Sequence, residues 1–183
     1  MVDWRSSFFT VGLCLLVSSG SVMAADAMIV WPSGWDVESL PTPEAGKDKP
    51  SVQIRQRAVK NDENGDPAMV VELTQSRLQA GHQVNVQGVL LEMRKSIQIS
   101  FSHGGFQSVC TKMKDSTLSA VPAMETTCTI TQNGVHVMTQ TLVAAASKDM
   151  AWALSYAGSA AGYDANKEEV LRIRDALRLD ATQ

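Results

Sequence analysis

Few residues of this chain have the type and spacing that chemistry needs. The histidines are His82, His103 and His136, and no two of them have metal-ligand spacing. His103-Gly104-Gly105 looks like the glycine-rich oxyanion loop of some hydrolases, but no serine stands in a Gly-x-Ser-x-Gly turn to serve as its nucleophile. The acid-rich run at 61–67 lacks the ligand order and closing glutamate of a calcium loop and reads as a solvated hairpin tip. A phosphate-binding loop, a dinucleotide fingerprint and a paired-carboxylate motif are all missing. These residues predict a non-catalytic protein with no cofactor and no metal. A small hydrolase assembled only in space is the alternative.

The cysteines carry the one covalent prediction. Cys110 and Cys128 lie in residues 106–156, which read as four consecutive strands joined by three turns. Asn133-Gly134 suits a two-residue turn with positive φ at both positions. That turn sets Ile130 opposite Val137 and Cys128 opposite Thr139. A second two-residue turn at Lys148-Asp149 sets Val143 opposite Leu154 and Ala145 opposite Trp152. Period-two alternation then predicts one face of Cys128, Ile130, Val137, Thr139, Val143, Trp152, Leu154 and Tyr156. The other face, with Thr127, Thr129, His136, Met138, Gln140 and Leu142, is mixed and partly wet. A turn centred on Ser119 brings Cys110 opposite Cys128, within reach of a disulfide. Two buried free thiols are the alternative.

The compartment favours the bond. Residues 1–24 have the pattern of an export signal: Arg5 near the start, an apolar run at 8–17, and small residues ending at Val22-Met23-Ala24. Cys14 sits inside the apolar run behind Leu13, which does not fit a lipid-attachment site. A retained membrane anchor is the alternative to cleavage. Removing the signal leaves two cysteines for an oxidising compartment and about 159 residues, the size of one domain. The net charge of −3 argues against a nucleic-acid or polybasic membrane-binding role. The prediction is a periplasmic or secreted protein with no stable membrane insertion after cleavage.

The remaining elements must position this meander. Trp31-Pro32-Ser33-Gly34-Trp35 combines turn residues with two large apolar anchors, either an aromatic ligand platform or a cover over one end of the core. Residues 36–40 suit a short strand, and 41–50, with three prolines, a loop. Residues 52–59 and 68–74 alternate as a hairpin. Residues 84–101 have helical spacing through Val86, Met93 and Ile97 and stop before the glycine pair; Gly88 would permit close packing on the sheet. Residues 158–162 read as a small-residue loop. Residues 163–179 read as a closing helix with Asp164 as its N-cap and a buried stripe of Val170, Ile173 and Leu177. Arg172, Arg174 and Arg178 are expected on a solvated face. The fold expected is α+β: a central antiparallel sheet, made of an N-terminal hairpin plus the four-strand meander, packed with two helices. Residues 1–24 are the signal, 25–50 an N-terminal segment and loop, and 51–180 a single domain packing with 28–40.

This order of elements resembles the PsbP-like superfamily, with its DcrB-like periplasmic proteins. The match rests on the Trp31–Trp35 start, the Asn133-Gly134 hairpin, and Trp152–Tyr156 leading into the closing helix. The whole chain is similar to small secreted Pseudomonas-type proteins of unassigned function. The resemblance implies a binding or assembly factor and transfers no functional residue. The partner expected is a protein or an envelope component, met through the solvent side of the meander or the loop at 41–50. An immunity-type inhibitor of a periplasmic partner enzyme is a further alternative.

Overall fold

The computed structural model describes residues 29–43 and 50–179, so the signal expected at 1–24 and most of the loop at 41–50 lie outside the described residues. The elements in order are β1 (Asp36–Ser39), β2 (Ser51–Asn61), β3 (Pro67–Arg77), α1 (Val86–His103), β4 (Gln107–Cys110), β5 (Lys114–Leu118), β6 (Val121–Gln132), β7 (Val135–Ala146), β8 (Met150–Ser159) and α2 (Ala160–Ala176). Eight strands form one antiparallel sheet in the order β1-β2-β3-β8-β7-β6-β4, with β5 also pairing β6. Helix α1 packs on β4, β6 and β7, and α2 on β3, β7 and β8.

Strand alternation separates two cores. Toward α2 point Val71 and Leu73 of β3, Val143 and Ala145 of β7, and Trp152, Leu154 and Tyr156 of β8, which meet Val170, Ile173 and Leu177. The intervening Leu142 and Ala144 point the other way, to Leu90 of α1. The result is a three-layer α/β/α arrangement, the α+β fold expected.

The expected register holds in one hairpin and fails in the other. Between β7 and β8, Val143 faces Leu154 and Ala145 faces Trp152 as predicted. Asn133 and Gly134 have positive φ, 50° and 80°, as their turn requires. Beyond that turn a β-bulge skips Val137, so Ile130 faces Met138, Thr129 faces Thr139 and Cys128 faces Gln140. The bulged strand carries one extra residue. Cys128 and Ile130 therefore move to the α1 side, and Thr127 and Thr129 take their place on the α2 side. Leu142, expected on a partly wet face, is 1% exposed beneath α1.

The predicted first strand of the meander is two strands. β5 pairs β6 about a turn at Ser119-Ala120, and a break at residues 111–113 shifts β4 by one position. The shift sets Cys110 opposite Cys128, and their sulfurs lie 2.04 Å apart in a disulfide.

The helix ends also depart from expectation. α2 begins at Ala160 with Ser159 as N-cap, its hydroxyl accepting from the Gly162 amide, so 158–162 is no loop and Asp164 no cap. A Cβ on Gly158 or Gly162 would stand 2.4 or 2.3 Å from the Ala68 carbonyl oxygen. The small residues let the strand-to-helix corner press on β3. Gly88 does not show the close packing on the sheet that was expected: the atoms nearest a Cβ there would be those of the Asn85 cap side chain, from 3.3 Å, which accepts from the Gly88 amide.

Candidate functional site

The polar centre of the molecule lies where α2 crosses the sheet. Arg174 is four residues after Val170 and three before Leu177, so it shares their buried stripe. The expectation of a solvated face fails for it: Arg174 is 8% exposed. Its Nη1 donates to Glu125 Oε2 at 2.7 Å, and its Nη2 donates to Ser116 Oγ and to the Thr117 carbonyl. Glu125, on β6 in register with Val143, also accepts from Ser116 Oγ at 2.8 Å and pairs with Lys114 Nζ at 2.9 Å. Burial alone would raise the Glu125 pKa, but hydrogen bonds from Lys114, Arg174 and Ser116 outweigh it and hold the carboxyl at about 2. Sequence reading missed this pair, although Glu125 interrupts the alternating Val121-Ala123 row and Arg174 falls on the α2 stripe.

A line of hydroxyls continues from this pair. Thr127 Oγ1 lies 2.8 Å from Thr141 Oγ1, which lies 2.7 Å from the Tyr163 hydroxyl. Burial pushes the Tyr163 phenol up to about 12. His136 Nε2 lies 2.9 Å from Thr139 Oγ1 and 3.1 Å from the Met138 carbonyl. Glu125, Arg174, Thr127, Thr139, Thr141 and Tyr163 line a cleft of about 440 Å³ whose other walls include Lys114 and Lys167. Glu125 and Tyr163 do not suit proton transfer near neutral pH: Glu125 stays ionised with both oxygens held, and Tyr163 stays protonated.

A second concavity lies on the other side of the sheet. Helix α1 leaves β8 and β3 uncovered there, and the strand residues beside it are small: Ala144, Ala151 and Ala153. With Val84, Val86 and Val89 they bound a groove of about 190 Å³, whose lining is almost wholly apolar. Trp152 belongs to the lining although its side chain faces α2, where its Nε1 donates to Gln75 Oε1 at 3.1 Å. Toward the β7–β8 turn the groove opens past Val84 and Val86 onto His82 and Lys148.

The residues singled out by sequence find other roles. His103 ends α1. The Phe106 amide donates to the Phe101 carbonyl, the Gly105 amide to Ser102, Gly105 has φ 77°, and the Phe101 and Phe106 rings meet edge-on at 6.0 Å. This is a Schellman cap: the glycines satisfy helix carbonyls and do not offer amides to an oxyanion. In the 61–67 loop, Asp62 Oδ1 accepts from the Asn64 and Asp66 amides, closing its own turn. Among the described residues no group of three or more His, Cys, Asp or Glu could hold a metal ion. Trp35 is buried, its Nε1 donating to Glu169 Oε1 at 3.3 Å, while Lys60 pairs with the same carboxylate. Trp31 packs against it at 5.8 Å, so the two rings cover the core's end. Among the described residues no helix is long and apolar enough to cross a membrane.

No curated protein matches the chain in sequence. Solved structures match it in fold. The solution structure of cyanobacterial PsbP (CyanoP) from Synechocystis sp. PCC 6803 is similar with a TM-score of 0.56 at 11% identity, covering 90% of this chain and 98% of that one. LpqN, involved in cell envelope biogenesis of Mycobacterium tuberculosis, is similar with a TM-score of 0.53 at 15% identity, covering 86% of this chain and 84% of that one. The two helices on an eight-stranded antiparallel sheet are thus a PsbP-like arrangement. Residues 26–179 match one family model, and the chain belongs to that family, described as a domain of unknown function (DUF4946).

Proposed function

We propose that the protein is exported by cleavage after Ala24, resides in the periplasm, and acts there without catalysis by binding the apolar part of an envelope component in the groove beside α1. The observation that carries this reading is the groove itself. Val84, Val86, Val89, Ala144 and Ala153 form a concave apolar surface kept open by alanines where larger residues would fill it. Burying apolar area there stabilises a complex by about 25 cal/mol per Å² removed from water. Three further points support it: a disulfide suited to an oxidising compartment, saturated rather than reactive polar groups in the other cleft, and the envelope role named for LpqN. The resemblance read from the sequence to small secreted Pseudomonas-type proteins agrees with it.

The test uses mature protein and the apolar dye 1-anilinonaphthalene-8-sulfonate. Wild type binds the dye saturably, and a detergent-solubilised envelope fraction displaces it. Ala153→Leu, which fills the groove from β8, abolishes saturable binding while the melting temperature stays within a few degrees. Dye binding unchanged by Ala153→Leu would place the apolar site elsewhere and sink the proposal.

A further inference from the structure

We infer that the groove beside α1, taken as the binding site proposed above, receives a lysophospholipid, with its single acyl chain in the groove and its phosphate headgroup at the mouth by the β7–β8 turn. The floor limits the occupant to one chain. Ala153 stands between Ala144 of β7 and Thr74 of β3, and Ala151 stands between Ala146 and Ser76. These two rows follow one another along β8 toward Lys148, about 7 Å apart. Ala144, Ala151 and Ala153 form the open floor, a strip one to two strands wide at about 4.8 Å per strand. Its volume of about 190 Å³ falls below the roughly 300–1,000 Å³ of sites for drug-sized ligands. Such a strip holds one alkyl chain lengthwise and not a pair.

The mouth supplies the charge. Val84 and Val86 line both the groove and a wider polar recess of about 540 Å³, so the two are continuous. The recess holds His82, Gln83 and Lys148, all exposed. Among the described residues none of these three side chains has a hydrogen-bond or ion-pair partner, whereas Lys114 in the other cleft is held by Glu125. No described residue lining the groove or the recess is acidic. The Lys148 ammonium thus stands uncompensated at the end of an apolar strip, which is complementary to an anionic amphiphile. Helix α1 starts beside the recess and has no acidic residue in its first turn, so its dipole adds to the positive potential there.

Size and donors favour a phosphate over a carboxylate. The recess, at about 540 Å³, is larger than the groove that feeds it, at about 190 Å³. A fatty-acid carboxylate would leave most of it empty. A glycerophosphate brings phosphate oxygens to the Lys148 ammonium and a His82 ring N–H, and hydroxyls to the Gln83 amide. A neutral sugar headgroup would make no use of the charge.

Calorimetry with mature protein at low ionic strength tests this, with every ligand below its micelle-forming concentration. The probes are lauroyl lysophosphatidate, laurate, dodecyl maltoside and glycerol phosphate. Lysophosphatidate binds saturably, laurate and the maltoside about tenfold more weakly, and glycerol phosphate not detectably. Lys148→Glu, an exposed change in a turn, weakens lysophosphatidate by about tenfold and leaves the maltoside unchanged. Ala153→Leu abolishes binding of both. Laurate or the maltoside binding as tightly as lysophosphatidate, or insensitivity to Lys148→Glu, would overturn the headgroup assignment and leave the groove standing. Lysophosphatidate binding that survives Ala153→Leu, or no saturable binding of any alkyl probe, would overturn the groove as the site and this inference with it.

Discussion

Replacing Arg174 by methionine should destabilise the protein more than any surface change, because it strands a charge that the fold has buried. Glu125 is 9% exposed and Arg174 8%, and their closest atoms are 2.7 Å apart. Removing one partner of a buried pair costs about 3–5 kcal/mol, since the remaining charge keeps its desolvation penalty. Here Lys114 and Ser116 still hold Glu125, so the lower end of that range applies. In a domain of this size each kcal/mol moves the melting temperature by about 2–4 °C, giving a fall of about 10 °C. Arg174→Met with Glu125→Leu removes both charges and should recover much of the loss. Circular-dichroism melts of the single and double variants measure this directly. A pH series adds an independent reading. The Glu125 carboxyl is held at about 2, below its ordinary 4.5. Its contribution is therefore fully present above pH 4.5 and is lost as pH falls toward 2, a change of about 3 kcal/mol. Glu125→Gln should flatten the acid limb of the stability curve between those values. A single variant melting within 2 °C of wild type, or a double variant no better than the single, would refute the reasoning.

Two further predictions concern the covalent staple and the corner before α2. Reducing Cys110–Cys128, or replacing both by serine, should cost about 3 kcal/mol for a loop of 18 residues; melting with and without reductant measures it, and two freely alkylated thiols in exported protein would contradict the bond. Gly162→Ala puts a Cβ 2.3 Å from the Ala68 carbonyl oxygen, and forcing the corner apart should cost about 1–3 kcal/mol in urea unfolding. An unchanged unfolding midpoint would mean that α2 can lift from β3 at no cost.

Much of the fold was legible because its signals are local. Asn133-Gly134 and Lys148-Asp149 mark turns by residue type, the stripe of Val170, Ile173 and Leu177 marks a helix by spacing, and the glycine pair after His103 marks its end. The Cys110–Cys128 pairing was also anticipated, but the turn at Ser119-Ala120 sets a register one position off, and the break at residues 111–113 compensates for it. The bulge at Val137 had no such signal. Nothing in Thr131, Val137 or their neighbours distinguishes a regular strand from a bulged one, and it alone exchanged Cys128 and Ile130 with Thr127 and Thr129 between faces.

Neither concavity was legible, for a related reason. A site of this kind is defined by which rows of different strands align and by how far each helix reaches across them. The sequence by itself determined the elements, the α+β class and the pair of cysteines, because turn chemistry and apolar period act over a few neighbouring residues. Only the tertiary structure decided that Glu125 meets Arg174, that alanines face an uncovered strip beside α1, and that threonines line a cleft beneath α2. Those contacts depend on register summed over the whole sheet, where a single extra residue reverses every side chain beyond it.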